Sequence, residues 1–117
     1  MKVLFVASEA TPFAKTGGLA DVAGSLPKSL VADGVDIRVI MPKYGLIDEK
    51  YRSKMKHVYD GKLNVAWREK YVGLDTLTMD GVTYYFVDNE EYFKRDGFYG
   101  YDDDAERFAF FSRAILR

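Results

Sequence analysis

Val3-Leu4-Phe5-Val6-Ala7 is an unbroken apolar run, and soon after it the hydrophobic period changes from that of a strand to that of a helix. A short run rich in branched side chains fits a strand buried on both faces of a parallel sheet. A polar, turn-forming stretch follows from Ser8 to Gly18, containing Pro12 and the pair Gly17-Gly18. Leu19, Val22, Ala23, Leu26, Leu30 and Val31 then recur at three- and four-residue steps and lay out one apolar helix face. Pro27 cannot donate to the carbonyl one turn earlier, so a kink is expected there. Asp33-Gly34 supplies the stop, and Val35 to Met41, closed by Pro42, reads as a second strand. Strand, glycine loop, helix and strand in this order make a βαβ unit, whose crossover is expected to be right-handed. The chain is therefore expected to be an α/β protein.

The second half has a different rhythm. Asp48 to Lys54 is charged and predicts a short exposed helix, while residues 55–66 and 69–79 read as strands. Alternation is clearest from Tyr71 to Leu77. Asp80-Gly81 is a strong hairpin signal leading into a strand over Val82 to Val87, and Asn89 to Lys94 predicts a single helical turn. Asp103 and Glu106 have capping-box spacing, although serine or threonine is the usual cap. Phe108, Phe111, Ile115 and Leu116 continue from them as an apolar helical stripe. No glycine, asparagine or proline closes this helix before Arg117, so a longer natural chain is expected. Without repeats or linkers, residues 1–117 read as one domain, expected to be incomplete.

Composition narrows the function classes. With 117 residues, 48% hydrophobic and 30% charged, the chain has the balance of a soluble globular domain. Lysine and arginine number 17 against 18 acidic residues, for a net charge of -1, so the basic footprint of a nucleic-acid binder is missing. No cysteine is present, which excludes disulfides, thiolate metal sites and cysteine nucleophiles from these residues. The apolar run after Met1-Lys2 is too short for a signal-peptide core or a membrane span, so a cytoplasmic location without membrane contact is expected.

The stretch with most chemical content is Lys15-Thr16-Gly17-Gly18-Leu19-Ala20-Asp21-Val22, between the first strand and its helix. Two glycines let the backbone turn sharply and approach a ligand with no β-carbon in the way. Amides of the first helical turn point into the loop, the helix dipole adds partial positive charge, and Lys15 adds a full one. Such a site would lie at the carboxyl end of a parallel strand, where open α/β sheets bind ligands. The spacing is neither a Walker A loop nor Gly-x-Gly-x-x-Gly, so ATPase and nicotinamide readings lose their support. Spacing alone leaves an anion site and a plain tight turn with an exposed lysine equally open.

A resemblance shifts that balance. The opening Met1 to Glu9, Pro12-Phe13 and Lys15-Thr16-Gly17-Gly18-Leu19-Ala20-Asp21-Val22 closely resemble the start of bacterial glycogen synthases and plant starch synthases. The likeness continues through Ala23 to Lys28, Gly34, Arg38-Val39, Met41-Pro42-Lys43-Tyr44 and Tyr85-Phe86-Val87-Asp88-Asn89. It resumes at Tyr99-Gly100 and Asp104 to Ser112, and is weaker from 45 to 80. The resemblance implies a Rossmann-like three-layer sandwich with a mostly parallel sheet and a β-hairpin, part of the N-terminal domain of a GT-B fold. It implies transfer of glucose from ADP-glucose to the non-reducing end of an α-1,4-glucan, with retention and without metal or other cofactor. Lys15 and the Gly17-Gly18 amides then belong near the diphosphate and transferred sugar, Asp21 faces the same cleft, and Tyr99 lies near the sugar nucleotide or acceptor. The principal arginine-lysine pair and a key glutamate belong to the C-terminal domain in such enzymes, and a histidine and an aspartate come later in the N-terminal one. No catalytic residue is therefore expected within these residues, and little activity from them alone. The alternatives are a GT-B transferase with another donor such as UDP-glucose, a nucleotide- or glucan-binding module, and a self-associating piece.

Other candidates read more simply as structure. His57 has no adjacent carboxylate pair and reads as a surface or strand histidine. Asp102-Asp103-Asp104 suits a helix N-terminus through the dipole, without a metal. Glu90 and Glu91 are neighbours whose side chains diverge, which removes a glycosidase-like carboxylate pair. The aromatic residues crowded between Tyr84 and Tyr101 could stack on sugars but read mainly as core, and Trp67 as packing at a strand end.

Overall fold

A computed structural model of the chain describes residues 2–8, 10, 13, 18–65, 68–79, 81–94 and 104–116. In chain order the elements are β1 (Lys2–Val6), α1 (Gly18–Ala32), β2 (Asp36–Pro42), α2 (Glu49–Arg52), β3 (Lys56–Val65), β4 (Arg68–Met79), β5 (Val82–Asp88), α3 (Glu90–Phe93) and α4 (Asp104–Leu116). One five-stranded sheet has the order β1-β2-β5-β4-β3. The pairs β1·β2 and β2·β5 are parallel, and β5·β4 and β4·β3 are antiparallel. The expected α/β fold is present, but its sheet is mixed rather than mostly parallel, because β3, β4 and β5 form a meander whose last strand docks on β2.

The two turns that the glycines were expected to make are made. Gly34 has φ 85°, and Gly34 N–H and Val35 N–H donate to the Val31 and Leu30 carbonyls, both at 3.0 Å, which closes α1 with a Schellman motif. Gly81 has φ 78° in the β4–β5 hairpin. Helix α1 runs unbroken past Pro27, which is fully buried.

The core lies where alternate residues of β2 and β5 meet the connecting segments. Val39 pairs with Tyr84 and Met41 with Phe86, and all four are fully buried. Phe13 sets its ring edge against Tyr84, Phe86 and Tyr51 at 4.9, 5.0 and 5.1 Å. The opposite face, around Leu74 and Val87, is met by Ala114 of α4. Helical segments thus cover both faces of the sheet in three layers.

Three expectations need correction. Strand β1 is an edge strand, and Leu4 and Val6 on one of its faces are 50% and 47% exposed, so it is not buried on both sides. In α1, Val22 and Leu26 of the expected apolar face are exposed, while Gly24 and Pro27 are buried. Of the same face, Val31 is half-buried and packs against the core, and the Leu19 and Ala23 side chains lie outside the described residues. In α4 the expected stripe is widened rather than replaced: Phe111 is buried and Phe108 packs against the core, and Arg107 and Phe110 are buried as well. The Ile115 and Leu116 side chains lie outside the described residues. Asp103, named as the cap of this helix, and Trp67 lie outside the described residues.

Candidate functional site

The three parallel strands end along one edge of the sheet. Ala7 N–H donates to the Ile40 carbonyl at 3.1 Å and Lys43 N–H to the Val87 carbonyl at 2.8 Å, so Ser8, Lys43 and Asp88 leave their strands side by side. The chain returns from β1 to α1 across this edge. Its way is marked by Ala10 and Phe13, both buried, with Phe13 N–H donating to the Ala10 carbonyl at 2.9 Å. Gly18 is the first residue of α1, so the Lys-Thr-Gly-Gly stretch leads into a helix N-terminus at the carboxyl end of a parallel strand. Asp21 is in the first turn of that helix. Lys15 and Gly17, the Asp21 side chain and Tyr99 lie outside the described residues.

The elements flanking the Tyr99 segment are tightly held. Asn89 caps α3 by accepting from Tyr92 N–H at 3.1 Å, and its amide donates to the Tyr71 carbonyl at 2.8 Å. Tyr92 donates its hydroxyl to Glu106 of α4 at 2.6 Å. Arg107, fully buried, donates from Nε to the Tyr92 carbonyl at 2.5 Å and lies over the Phe93 and Phe108 rings at 5.8 and 5.4 Å. A buried guanidinium costs desolvation unless bonded, and here it joins two helices flanking one loop.

A polar chain begins at the same edge and crosses the meander. Lys43 Nζ donates to Asp75 Oδ2 at 2.5 Å, and both side chains are largely buried. Asp75 Oδ1 is 2.7 Å from His57 Nδ1, His57 Nε2 is 2.8 Å from Asp60 Oδ1, and the Tyr71 hydroxyl donates to that same oxygen at 2.6 Å. Hydrogen bonds to Asp75 and then Asp60 raise the His57 pKa above its ordinary value. Burial acts to raise the Asp75 carboxyl, but bonds from Lys43 and His57 outweigh it and leave it below the usual range. Asp60 is lowered by the Tyr71 bond and then the His57 bond, and Tyr71 is pushed up to about 12, chiefly by its bond to Asp60. Asp88, at the end of β5, is raised by burial, with Lys43 opposing. His57 thus meets two carboxylates, which corrects its reading as a histidine without such a pair.

Residues 2–117 match the family model described as the starch synthase catalytic domain. The chain belongs to that family. It is 60% identical over 116 residues to a glycogen synthase from Anoxybacillus flavithermus, covering 99% of this chain and 24% of the relative. A glycogen synthase from Caldicellulosiruptor saccharolyticus is 63% identical over 115 residues, covering 98% of this chain and 24% of the relative. The catalytic domain of starch synthase IV from Arabidopsis thaliana, solved bound to ADP and acarbose, superposes with a TM-score of 0.85 at 30% identity. That match covers 97% of this chain and 24% of the plant one. This starch synthase family member therefore spans about a quarter of the length of the relatives it matches.

Among the described residues of the family member, no group of histidine and carboxylate side chains could hold a metal ion. No described helix is long and apolar enough to cross a membrane. Glu90 and Glu91 diverge as expected, Glu91 to Lys70 at 2.8 Å and Glu90 toward Lys94 at 3.9 Å. Lys43, Tyr44 and Asp75 went unmarked as site-edge residues in the sequence. The signal available was the Asp75 carboxylate within the alternating run Tyr71 to Leu77, where the structure buries it.

Proposed function

We propose that these residues are part of the N-terminal Rossmann-like domain of an ADP-glucose-dependent glycogen or starch synthase with a GT-B fold. The full enzyme transfers glucose to the non-reducing end of an α-1,4-glucan with retention, and its C-terminal nucleotide-binding domain lies outside residues 1–117. The observation that carries the reading is the junction at Gly18, where the Lys-Thr-Gly-Gly element meets the N-terminus of α1 at the carboxyl edge of the parallel strands. A nucleotide leaving group develops diphosphate charge, and preorganised amides with a lysine stabilise it without reorganisation. Lys15, Gly17 and Gly18 take the diphosphate and sugar, Asp21 faces the cleft, and Tyr99 contacts donor or acceptor. That the similar plant domain was solved with ADP and acarbose supports both ligand classes.

The reading includes a cytoplasmic enzyme that binds neither nucleic acid nor membrane. Residues 1–117 alone carry part of the site and little turnover. Self-association of this stretch through the exposed face of β1, where Leu4 and Val6 stand open, belongs to the same proposal; a monomer by sedimentation at high concentration removes it. Amide chemical-shift mapping with ADP-glucose tests the main reading. Shifts centred on Lys15 to Val22 and weakened by Lys15→Ala support it, whereas a folded sample without shifts assigns donor affinity to the rest of the enzyme. Comparing ADP-glucose with UDP-glucose turnover in a full-length synthase that contains this segment separates the two donor classes.

A further inference from the structure

Resting on that reading, we propose that Tyr44 is a positioning residue that keys two substrate-binding segments, the one after Ser8 and the one after Lys94, to a single point of the sheet. Tyr44 follows the end of β2 and is fully buried. Its hydroxyl donates to the Ser8 carbonyl at 2.7 Å, just past the Ala7–Ile40 sheet bond. Its ring meets Phe93 edge-on, with centroids 5.8 Å apart at 79°. The Tyr44 carbonyl accepts from Arg52 Nη1 at 2.9 Å and from Ile47 N–H at 3.2 Å, so its own backbone is held by α2 and the turn before it.

The next residue extends the grip. Gly45 N–H donates to the Phe93 carbonyl at 2.9 Å, and a β-carbon on Gly45 would stand 2.9 Å from Lys94 Cα. Two backbones approach there at a distance only glycine permits. Packing explains the Tyr44 ring, but phenylalanine would pack as well. What the hydroxyl adds is a bond to the main chain where β1 has stopped and the Lys15 segment begins. A fixed anchor at Ser8 lowers the ordering that donor binding must otherwise supply.

The test uses a full-length synthase that contains this segment. Tyr44→Phe keeps the ring and removes the bond, and the expected result is a KM for ADP-glucose raised about fivefold, the equilibrium weight of one net hydrogen bond. The KM for glucan and the circular dichroism spectrum should be unchanged. Gly45→Ala is expected to raise KM through the second segment by pushing Lys94 away. Ile47→Val, in an equally buried neighbour from the same turn, is the control for general loosening. An unchanged donor KM in Tyr44→Phe, or an equal rise in Ile47→Val, overturns the positioning role. A wild type that turns over no ADP-glucose overturns the functional reading and this proposal together, so the two failures are told apart.

Discussion

His57 and Asp75 face each other across β3 and β4 with Nδ1 and Oδ1 2.7 Å apart, although the hairpin drawn straight from its Val65–Arg68 end would set His57 against Thr76. An irregularity between His57 and Tyr59 shifts the register by one residue and makes the pair. Because the His57 pKa is raised, its contribution to stability is fully present below its ordinary 6.5 and is lost as pH rises through the folded value. Asp60 and Asp75 are lowered, so theirs is present above the ordinary 3.8 and lost as pH falls through the folded values. Melting midpoints measured between about pH 5.5 and about pH 8.5 should therefore decline with rising pH. His57→Gln should flatten the decline, and an unchanged slope would remove His57 as its source.

Asp75→Ala should destabilise far more than Asp60→Ala. Asp75 is buried against Lys43, whose side chain is itself only 16% exposed, and truncation strands that ammonium. Breaking a buried pair from one side costs about 3 kcal/mol or more, whereas an exposed carboxylate such as Asp60 is a minor loss. Urea unfolding of the two variants measures the difference, and equal midpoints would contradict it.

Phe13→Ala should cost about 3–5 kcal/mol, as for other buried aromatic truncations. Phe13 meets three rings, and it also pins the chain between β1 and α1. Its loss should therefore weaken ADP-glucose binding by more than an equally destabilising change in the β3–β4 hairpin. Calorimetric unfolding paired with donor titration separates the two effects.

Gly81→Ala should destabilise more than Gly34→Ala. Both glycines have positive φ, 78° and 85°, and alanine in that region costs roughly 1–2 kcal/mol. At Gly34 the new β-carbon meets nothing within 4 Å, while at Gly81 it lies 3.3 Å from Val31 Cγ1. Paired denaturant melts give the ranking, and a reversed order would show that the Val31 side chain yields freely.

The elements were legible because period and punctuation agreed. The run Val3 to Ala7, the helical steps from Leu19 and the Gly34 stop placed the βαβ unit, and Asp80-Gly81 placed the hairpin. The α1 face was placed only in part, because Val31 packs against the core while Val22 and Leu26 of the same periodic set are exposed. Gly24 and Pro27, which periodicity does not count, are buried. In the Lys-Thr-Gly-Gly element the expected chemistry and the resemblance fell in contiguous residues. The Lys43–Asp75–His57–Asp60–Tyr71 chain did not, because its members meet through pairing register. A single displaced residue in β3 sets His57 against Asp75, and spacing along the chain does not encode that.

The sheet order also fixes a sequence of events in folding. Strands β3, β4 and β5 follow one another through hairpins, so each can find its neighbour by short-range search. Strand β2 instead waits for β5, with the whole hairpin lying between them in the chain. That seam demands the longest loop closure of the described sheet, and non-local pairing is slow for entropic reasons. The pairing of Val39 with Tyr84 and of Met41 with Phe86 is therefore expected to form late. Until it does, Val39, Met41, Tyr84 and Phe86, all fully buried in the folded chain, stay open to water and to other chains.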